Sequence, residues 1–266
     1  MNEFDRIIRT ERCDTCMLTE KRYTTILKIL EEKGSATVLD FTKVLNASES
    51  TVRRDLAALH KSGKLYKVYG GATSIDNNYN TNEDDMQTKR DLHIEEKISI
   101  ARKAASLITH NDFVYIDAGT TTLYIIDFLQ EATATYVTNG ISHAARLAAK
   151  GCNVFILGGQ LKSTTEAVTG TEALHNLRNY NFTKGFFGTN GISTKAGFST
   201  PDSSEAIIKG EAIARSKKAF ILADNSKFNK ISPLTFANIS CATILTDTLT
   251  DRKYRDYTTV IEANEE

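Results

Sequence analysis

The sequence predicts an α/β protein in two parts: a small domain of helices with a β-hairpin, then a larger domain built on a mainly parallel sheet. Three observations predict it. Amphipathic helical segments fill residues 21–62 and give way after Gly63 to the alternating run "KLYKVYGGATS". A polar, asparagine-rich stretch, "SIDNNYNTNEDD", follows with almost no apolar residue. Beyond it, short apolar strands alternate with helix-like stretches as far as "TTVIEAN", the pattern of helices packed on parallel strands. The resulting boundaries are an extension at 1–16, a first domain at 17–73, a linker at 74–89 and a second domain at 90–266.

Composition narrows the function classes. The 266 residues carry 33 basic and 33 acidic side chains, so an anionic partner must be met by local charge. Hydrophobic residues make up 41% and charged ones 25%, which is ordinary globular composition, and no apolar run approaches the roughly 18 residues of a membrane span. The N-terminal stretch lacks the apolar core of a signal peptide, and a cytoplasmic location is expected. Four cysteines in such a chain are expected to be free thiols, with Cys152 and Cys241 beside buried strands. Cys13 and Cys16 have zinc or redox spacing, but no second pair follows, so no metal and no cofactor are expected. Residues 1–16 are expected to be a mobile, dispensable leader.

In "KRYTTILKILEEK", Ile26, Leu27 and Leu30 share one helical face, and Gly34 is a stop signal. "SATVLDFTKVLNAS" spaces Val38, Phe41, Val44 and Leu45 as a second helix, Asn46 suits a turn, and Ser48 can cap the next helix. In that third helix Val52, Leu56 and Leu59 form the apolar stripe, so Ser50, Thr51, Arg53 and Arg54 are left on the outer face or its flanks. Lys64, Lys67, Tyr69 and the flexible pair Gly70 and Gly71 then form a basic wing. Residues 17–75 hold ten basic side chains against six acidic ones.

This order of helices is a winged helix-turn-helix, whose last helix fits the major groove of DNA. Arginine offers a planar fork for phosphates or for guanine O6 and N7, and hydroxyls near the helix start reach phosphate oxygens or base edges. The plainer alternative is that Arg53 and Arg54 only solvate the helix and pair with Glu49 or Asp55.

In the second domain polar residues and glycines cluster where strands should end: Asp117, Gly119, Thr120, Thr121 and Thr122; Asn139 and Gly140; Gly158 and Gly159; Asn190 and Gly191; Asp224, Ser226 and Lys227. Ligands of open α/β sheets sit outside the carboxyl ends of the strands. The Gly-Thr-Thr-Thr turn suits phosphate, through close backbone approach, hydroxyl donors and the free amides of a helix start. It has neither Walker nor dinucleotide spacing. Glu205 and Lys209 share a helix face, where Lys209 could meet phosphate and Glu205 sugar hydroxyls; a plain surface pair is the alternative.

The segment "SESTVRRDLAALHKSGKLYKVYGGA" resembles the signature of the DeoR family of bacterial transcriptional regulators, with Tyr69 where the family usually has histidine. The likeness continues through the D-x-GTT turn, the TNG, GG and NG strand ends, the E-A-x-x-K helix and the D-x-SK turn. It implies a C-terminal sensor domain similar in fold to ribose-5-phosphate isomerase and glucosamine-6-phosphate deaminase. It also implies a homo-oligomeric repressor that leaves operator DNA when a phosphorylated sugar binds. "MLTEKR" and "STPDSSEAIIK" look most like regulators of fructose operons, so fructose 1-phosphate or a similar compound is the expected effector. A sugar-phosphate isomerase or deaminase is the rival, with Asp117, Glu205 and Lys209 moving protons. The five histidines lie outside the strand-end motifs and are expected to be surface or packing residues.

Overall fold

The computed structural model describes residues 19–33, 35–68, 70–74, 86–130 and 133–264. The chain divides into two compact units between Asn77 and Asn78.

In the first unit, helix α1 (Thr19–Lys33) buries Ile26 and Leu30 against α2 (Val38–Leu45) and α3 (Glu49–Lys61). Helix α2 starts in a reciprocal cap: the Asp40 amide donates to Thr37 Oγ1, and the Thr37 amide donates to Asp40 Oδ2 at 3.0 Å. It ends at Asn46, whose φ of 46° turns the chain toward Ser48. Ser48 Oγ then accepts from the Thr51 amide and caps α3. The expected stripe holds for Val38, Phe41 and Leu45, but Val44 is 54% exposed and lies off the core face.

Residues 35–37, expected to lead into the second helix, form a short strand β1 (Ser35–Thr37). With β2 (Leu65–Val68) and β3 (Gly71–Ser74) it makes an antiparallel sheet in the order β1-β3-β2. This corrects the expectation for Gly71. It is buried in β3 opposite Thr37, where a Cβ would stand 2.3 Å from the Ala36 carbonyl oxygen, so it is a packing glycine and not part of a flexible tip. Gly70 is the turn residue, with φ of 82° and its carbonyl accepting from the Val38 amide.

The second unit begins, among the described residues, with α4 (Met86–Asp91), so the last four residues of the expected linker are helical. Helix α5 (Ile94–Ser106) follows. The seven-stranded sheet consists of β4 (Phe113–Ile116), β5 (Thr135–Thr138), β6 (Asn153–Ile156), β9 (Phe182–Gly188), β12 (Ser216–Leu222), β14 (Thr243–Thr246) and β15 (Val260–Glu262). All its pairings are parallel, in the order β15-β14-β12-β9-β4-β5-β6. Chain order runs outward from β4 in one direction and resumes at β9 in the other. The crevice of such a sheet therefore opens between β4 and β9.

One core, on the side of Tyr115, Val137 and Phe187, is closed by α8 (Thr171–Leu177) and α9 (Ser203–Ala214). The other, with Val114, Ile116 and Phe220, is closed by α5, α6 (Thr120–Phe128) and α7 (Ile141–Ala149). A hairpin of β7 (Gln160–Lys162) with β8 (Ala167–Thr169), and a small sheet of β10 (Gly191–Ser193), β11 (Gly197–Thr200) and β13 (Leu234–Ala237), complete the unit. Cys152 is buried as expected; Cys241 is exposed, contrary to expectation, because it follows Ile239 in a short turn ahead of β14.

Candidate functional site

Two surfaces follow, one in each unit. In the first, α3 presents Ser50, Arg53 and Arg54 to solvent, with Thr51 half-buried beside its cap. The alternative of plain helix pairing separates the arginines. Arg53 meets Glu49 at 3.3 Å, an exposed pair of small worth. Asp55, the other suggested partner, faces inward and is held by Arg22, so Arg54 has no ionic partner among the described residues. Lys64 and Lys67 are exposed on the wing. Tyr69 lies outside the described residues, as do Cys13 and Cys16.

In the second unit a cavity opens at the carboxyl ends of β4, β9 and β12. Gly119, Thr120 and Thr121 form one wall; Gly188, Thr189 and Asn190 another; Leu222, Ala223, Asp224 and Lys227 a third. Glu205 and Lys209 reach it from α9, and Met86, Lys89, Leu92, His93 and Lys97 close it from α4 and the start of α5.

The α6 wall presents hydroxyls to the cavity. Thr120 and Thr121 begin the helix and are 6% and 8% exposed, yet their hydroxyls have no protein partner among the described residues. Thr122 differs. It is fully buried, and its hydroxyl is spent on the Asp117 carbonyl at 2.6 Å, the Gly119 carbonyl at 2.9 Å and the His143 ring. Burial holds His143 neutral, with its pKa lowered to about 3.

Beneath the cavity, Lys209 Nζ donates to Asp117 Oδ2 and to the Gly188 carbonyl, and the Gly188 amide donates to Asp117 at 3.1 Å. Burial pushes the Asp117 pKa up, and Lys209 opposes that shift. Glu205 and Lys209 do not pair with each other: Glu205 accepts from the Thr165 hydroxyl at 2.6 Å and from Lys162 at 3.4 Å. Asp224 Oδ1 accepts the Ser226 amide, which orients a turn that carries Lys227 into the cavity wall.

Of the expected ligand residues, eight do not line the cavity; Asp117 lies beneath it, held by Lys209 and the Gly188 amide. Thr122 is the hidden support just described. Asn139 is buried and holds the Ala118 amide at 2.8 Å. Gly140 packs so closely on His143 that a Cβ would lie 2.4 Å from its ring. Gly158 and Gly159 follow β6 at the far edge of the sheet, where a Cβ on Gly159 would meet the Thr169 carbonyl at 2.6 Å. Gly191 sits against the Lys230 carbonyl, and Ser226 supplies only its amide to the turn.

Sequence reasoning missed Lys89, His93, Lys97, Thr165 and Thr189. His93 is exposed, as expected of a surface histidine, and also lines the cavity; its φ of 53° marks the cap position of α5. For Lys97 a signal existed. It stands three, four and seven residues before Ile100, Ala101 and Ala104, on the stripe that α5 buries. Among the described residues no group of His, Cys, Asp and Glu is arranged to hold a metal ion.

A winged helix-turn-helix followed by an α/β domain with a polar, cationic cavity defines a DNA-binding regulator with a small-molecule sensor. The chain belongs to the DeoR family: residues 22–78 match the DeoR-like helix-turn-helix domain and residues 92–248 the DeoR C terminal sensor domain. It is 42% identical to the "Uncharacterized HTH-type transcriptional regulator FruR" of Bacillus subtilis (strain 168), over 92% of this chain and 98% of that protein. It is 31% identical to the "Lactose phosphotransferase system repressor" of Streptococcus mutans, over 92% of this chain and 100% of that one. Among solved structures, ribose 5 phosphate isomerase A from Neisseria gonorrhoeae aligns at 18% identity with a TM-score of 0.39. That alignment covers 54% of this chain and 55% of that one, and is too distant to bear on function. The two family descriptions are of regulation, not of catalysis, and among the described residues no helix is long and apolar enough to cross a membrane.

Proposed function

We propose that the protein represses a sugar-utilisation operon and is released from operator DNA by a phosphorylated sugar of the fructose 1-phosphate type. The observation that carries this reading is the pair of hydroxyls without a protein partner among the described residues, on Thr120 and Thr121 at the start of α6, in a cavity that Lys97, Lys209 and Lys227 also line. A phosphate at the helix start would accept from the hydroxyls and the free amides. Glu205, Asp224 and Asn190 are then the groups left for sugar hydroxyls, and Lys209 stays largely committed to Asp117. The names of the relatives FruR and the lactose phosphotransferase repressor support a carbohydrate signal.

On the DNA side the proposed contacts are Arg54 and Arg53 with Ser50 and Thr51 in the groove, and Lys64, Lys67 and the Tyr69–Gly70 turn on the phosphate backbone. Gly71 is left out because it is buried. The protein is proposed to act as a homo-oligomer, since helix-turn-helix proteins read two half-sites with two copies.

The test is operator binding by fluorescence anisotropy with a panel of sugar phosphates and their unphosphorylated sugars. Release by fructose 1-phosphate or a close relative, but not by the neutral sugar, is expected. If no phosphorylated sugar moves the protein off DNA while a neutral sugar does, the phosphate reading fails.

A further inference from the structure

We infer that Lys97 is an effector-binding residue that joins the bound anion to α4, so that occupancy of the cavity is read out as a firmer α4; this rests on the sugar-phosphate reading above. Lys97 is 4% exposed and lines the cavity, yet it belongs to α5 and to none of the strand ends. Its Nζ donates to the carbonyl oxygens of Lys89 and Leu92, the first in the last turn of α4 and the second just past its end. Those carbonyls are among the ones a helix leaves without an internal donor, so the lysine caps α4 from outside.

An ammonium has three N–H donors. Two go to the carbonyls, and the third has no protein partner among the described residues. The cavity is where a third acceptor can be placed. Charges of both signs surround Lys97. Burial lowers its pKa, Lys227 and Lys89 lower it further, and Asp224 and Glu96 oppose the shift. A phosphate oxygen would add the missing acceptor and a negative charge together. The ammonium would then be fixed by three acceptors, one of them anionic, and charge-assisted hydrogen bonds are the stronger kind.

Helix α4 is the first described element of the sensor unit after the DNA-binding unit. It is a six-residue helix, too short to be stable unaided, so one external cap can govern its order. The link places a change in order on the first described helix of the sensor unit, without requiring the sheet to move.

Amide hydrogen exchange on the full chain with fructose 1-phosphate tests the assignment, with fructose as the neutral control. In the wild type the sugar phosphate should slow exchange at Thr120–Leu123 and also at Arg90–Leu92. Lys97→Met should exchange at Arg90–Leu92 several-fold faster than the wild type without ligand, bind the sugar phosphate at least tenfold more weakly, and show no slowing there at saturation. Lys227→Met, which removes a cavity charge that has no hydrogen bond or ion pair to α4 among the described residues, should weaken binding while the slowing at Arg90–Leu92 survives at saturation. The inference is overturned if ligand protects Thr120–Leu123 but leaves Arg90–Leu92 unchanged or faster, or if Lys97→Met without ligand exchanges there like the wild type. If no sugar phosphate in the panel protects Thr120–Leu123, the effector reading falls, and this inference with it.

Discussion

Arg22 and Asp55, 33 residues apart, meet in a forked ion pair in the interior of the DNA-binding unit, with Nε–Oδ2 at 2.6 Å and Nη2–Oδ1 at 3.1 Å. The fork ties α1 to the inner face of α3 and leaves the outer face of α3 to its own arginines. Cutting one side strands a buried charge, which typically costs about 3–5 kcal/mol. Asp55→Ala should therefore lower the unfolding midpoint of the DNA-binding unit and abolish operator binding at temperatures where the wild type binds. Differential scanning calorimetry and anisotropy on the same sample check both.

Arg54 has no such constraint. Arg54→Ala should leave the melting curve unchanged and weaken operator binding by about 1–3 kcal/mol, the usual worth of a base contact. Lys64→Ala should weaken specific and non-specific DNA together, and lower the slope of log affinity against log salt by about one unit. Unchanged operator affinity in both variants would remove α3 and the wing from the interface.

At the cavity, Thr120→Val keeps the side-chain volume and deletes one hydroxyl. A hydrogen bond to a charged group contributes about 1.5–3 kcal/mol, so effector affinity should fall by roughly tenfold to a hundredfold. Operator affinity without effector should not change. A ligand releases a protein from DNA only by its differential affinity for the two states, so more effector should be needed to reach half release. Thr122→Val is the contrasting case: its hydroxyl is bonded to the turn itself, so the loss should appear first as lower stability of the sensor unit.

His143 sets a pH signature. Its pKa is lowered to about 3 by burial, against about 6.5 in an unfolded chain. Between these values the unfolded state binds the extra proton. Stability of the sensor unit should therefore be fully present above pH 6.5 and decline as pH falls toward 3, by up to about 1.4 kcal/mol per pH unit. His143→Gln should flatten that stretch of the stability curve, as measured by urea unfolding at a series of pH values. A wild-type curve that is already flat between pH 6.5 and 4 would mean that His143 is protonated without cost.

The architecture was legible because its signals are local and periodic. The stripe of Val52, Leu56 and Leu59, the cap at Ser48 and the turn at Asn46 each follow from a few neighbouring residues. The strand β1 was not legible, since three residues carry no period and it exists only by pairing with Gly71–Thr73. The site was half legible for a related reason. Strand-end polarity located Thr120, Thr121, Asn190, Asp224 and Lys227 at the cavity. The same polarity marks Asn139, which props the turn from behind, and Gly158 and Gly159, which end the edge strand β6. Which strand ends converge depends on the order of strands in the sheet. Lys97 escaped notice because a lysine on a buried stripe resembles an error in the pattern until its acceptors are seen.

The cavity walls come from residues between Met86 and Lys227, whereas the DNA-binding unit is complete by Asn77. During synthesis the domain that grips the operator emerges about 150 residues before the last wall of the cavity, an interval of roughly 8–30 s at ordinary translation speeds of about 5–20 residues per second. A chain cut short within that interval, by a premature stop codon or a protease, holds an intact reading head and no complete receptor. Such fragments would compete for the operator in a form that no inducer can dislodge, so truncations between codons 78 and 227 should score genetically as dominant and uninducible, whereas loss of the first 77 codons should score as recessive.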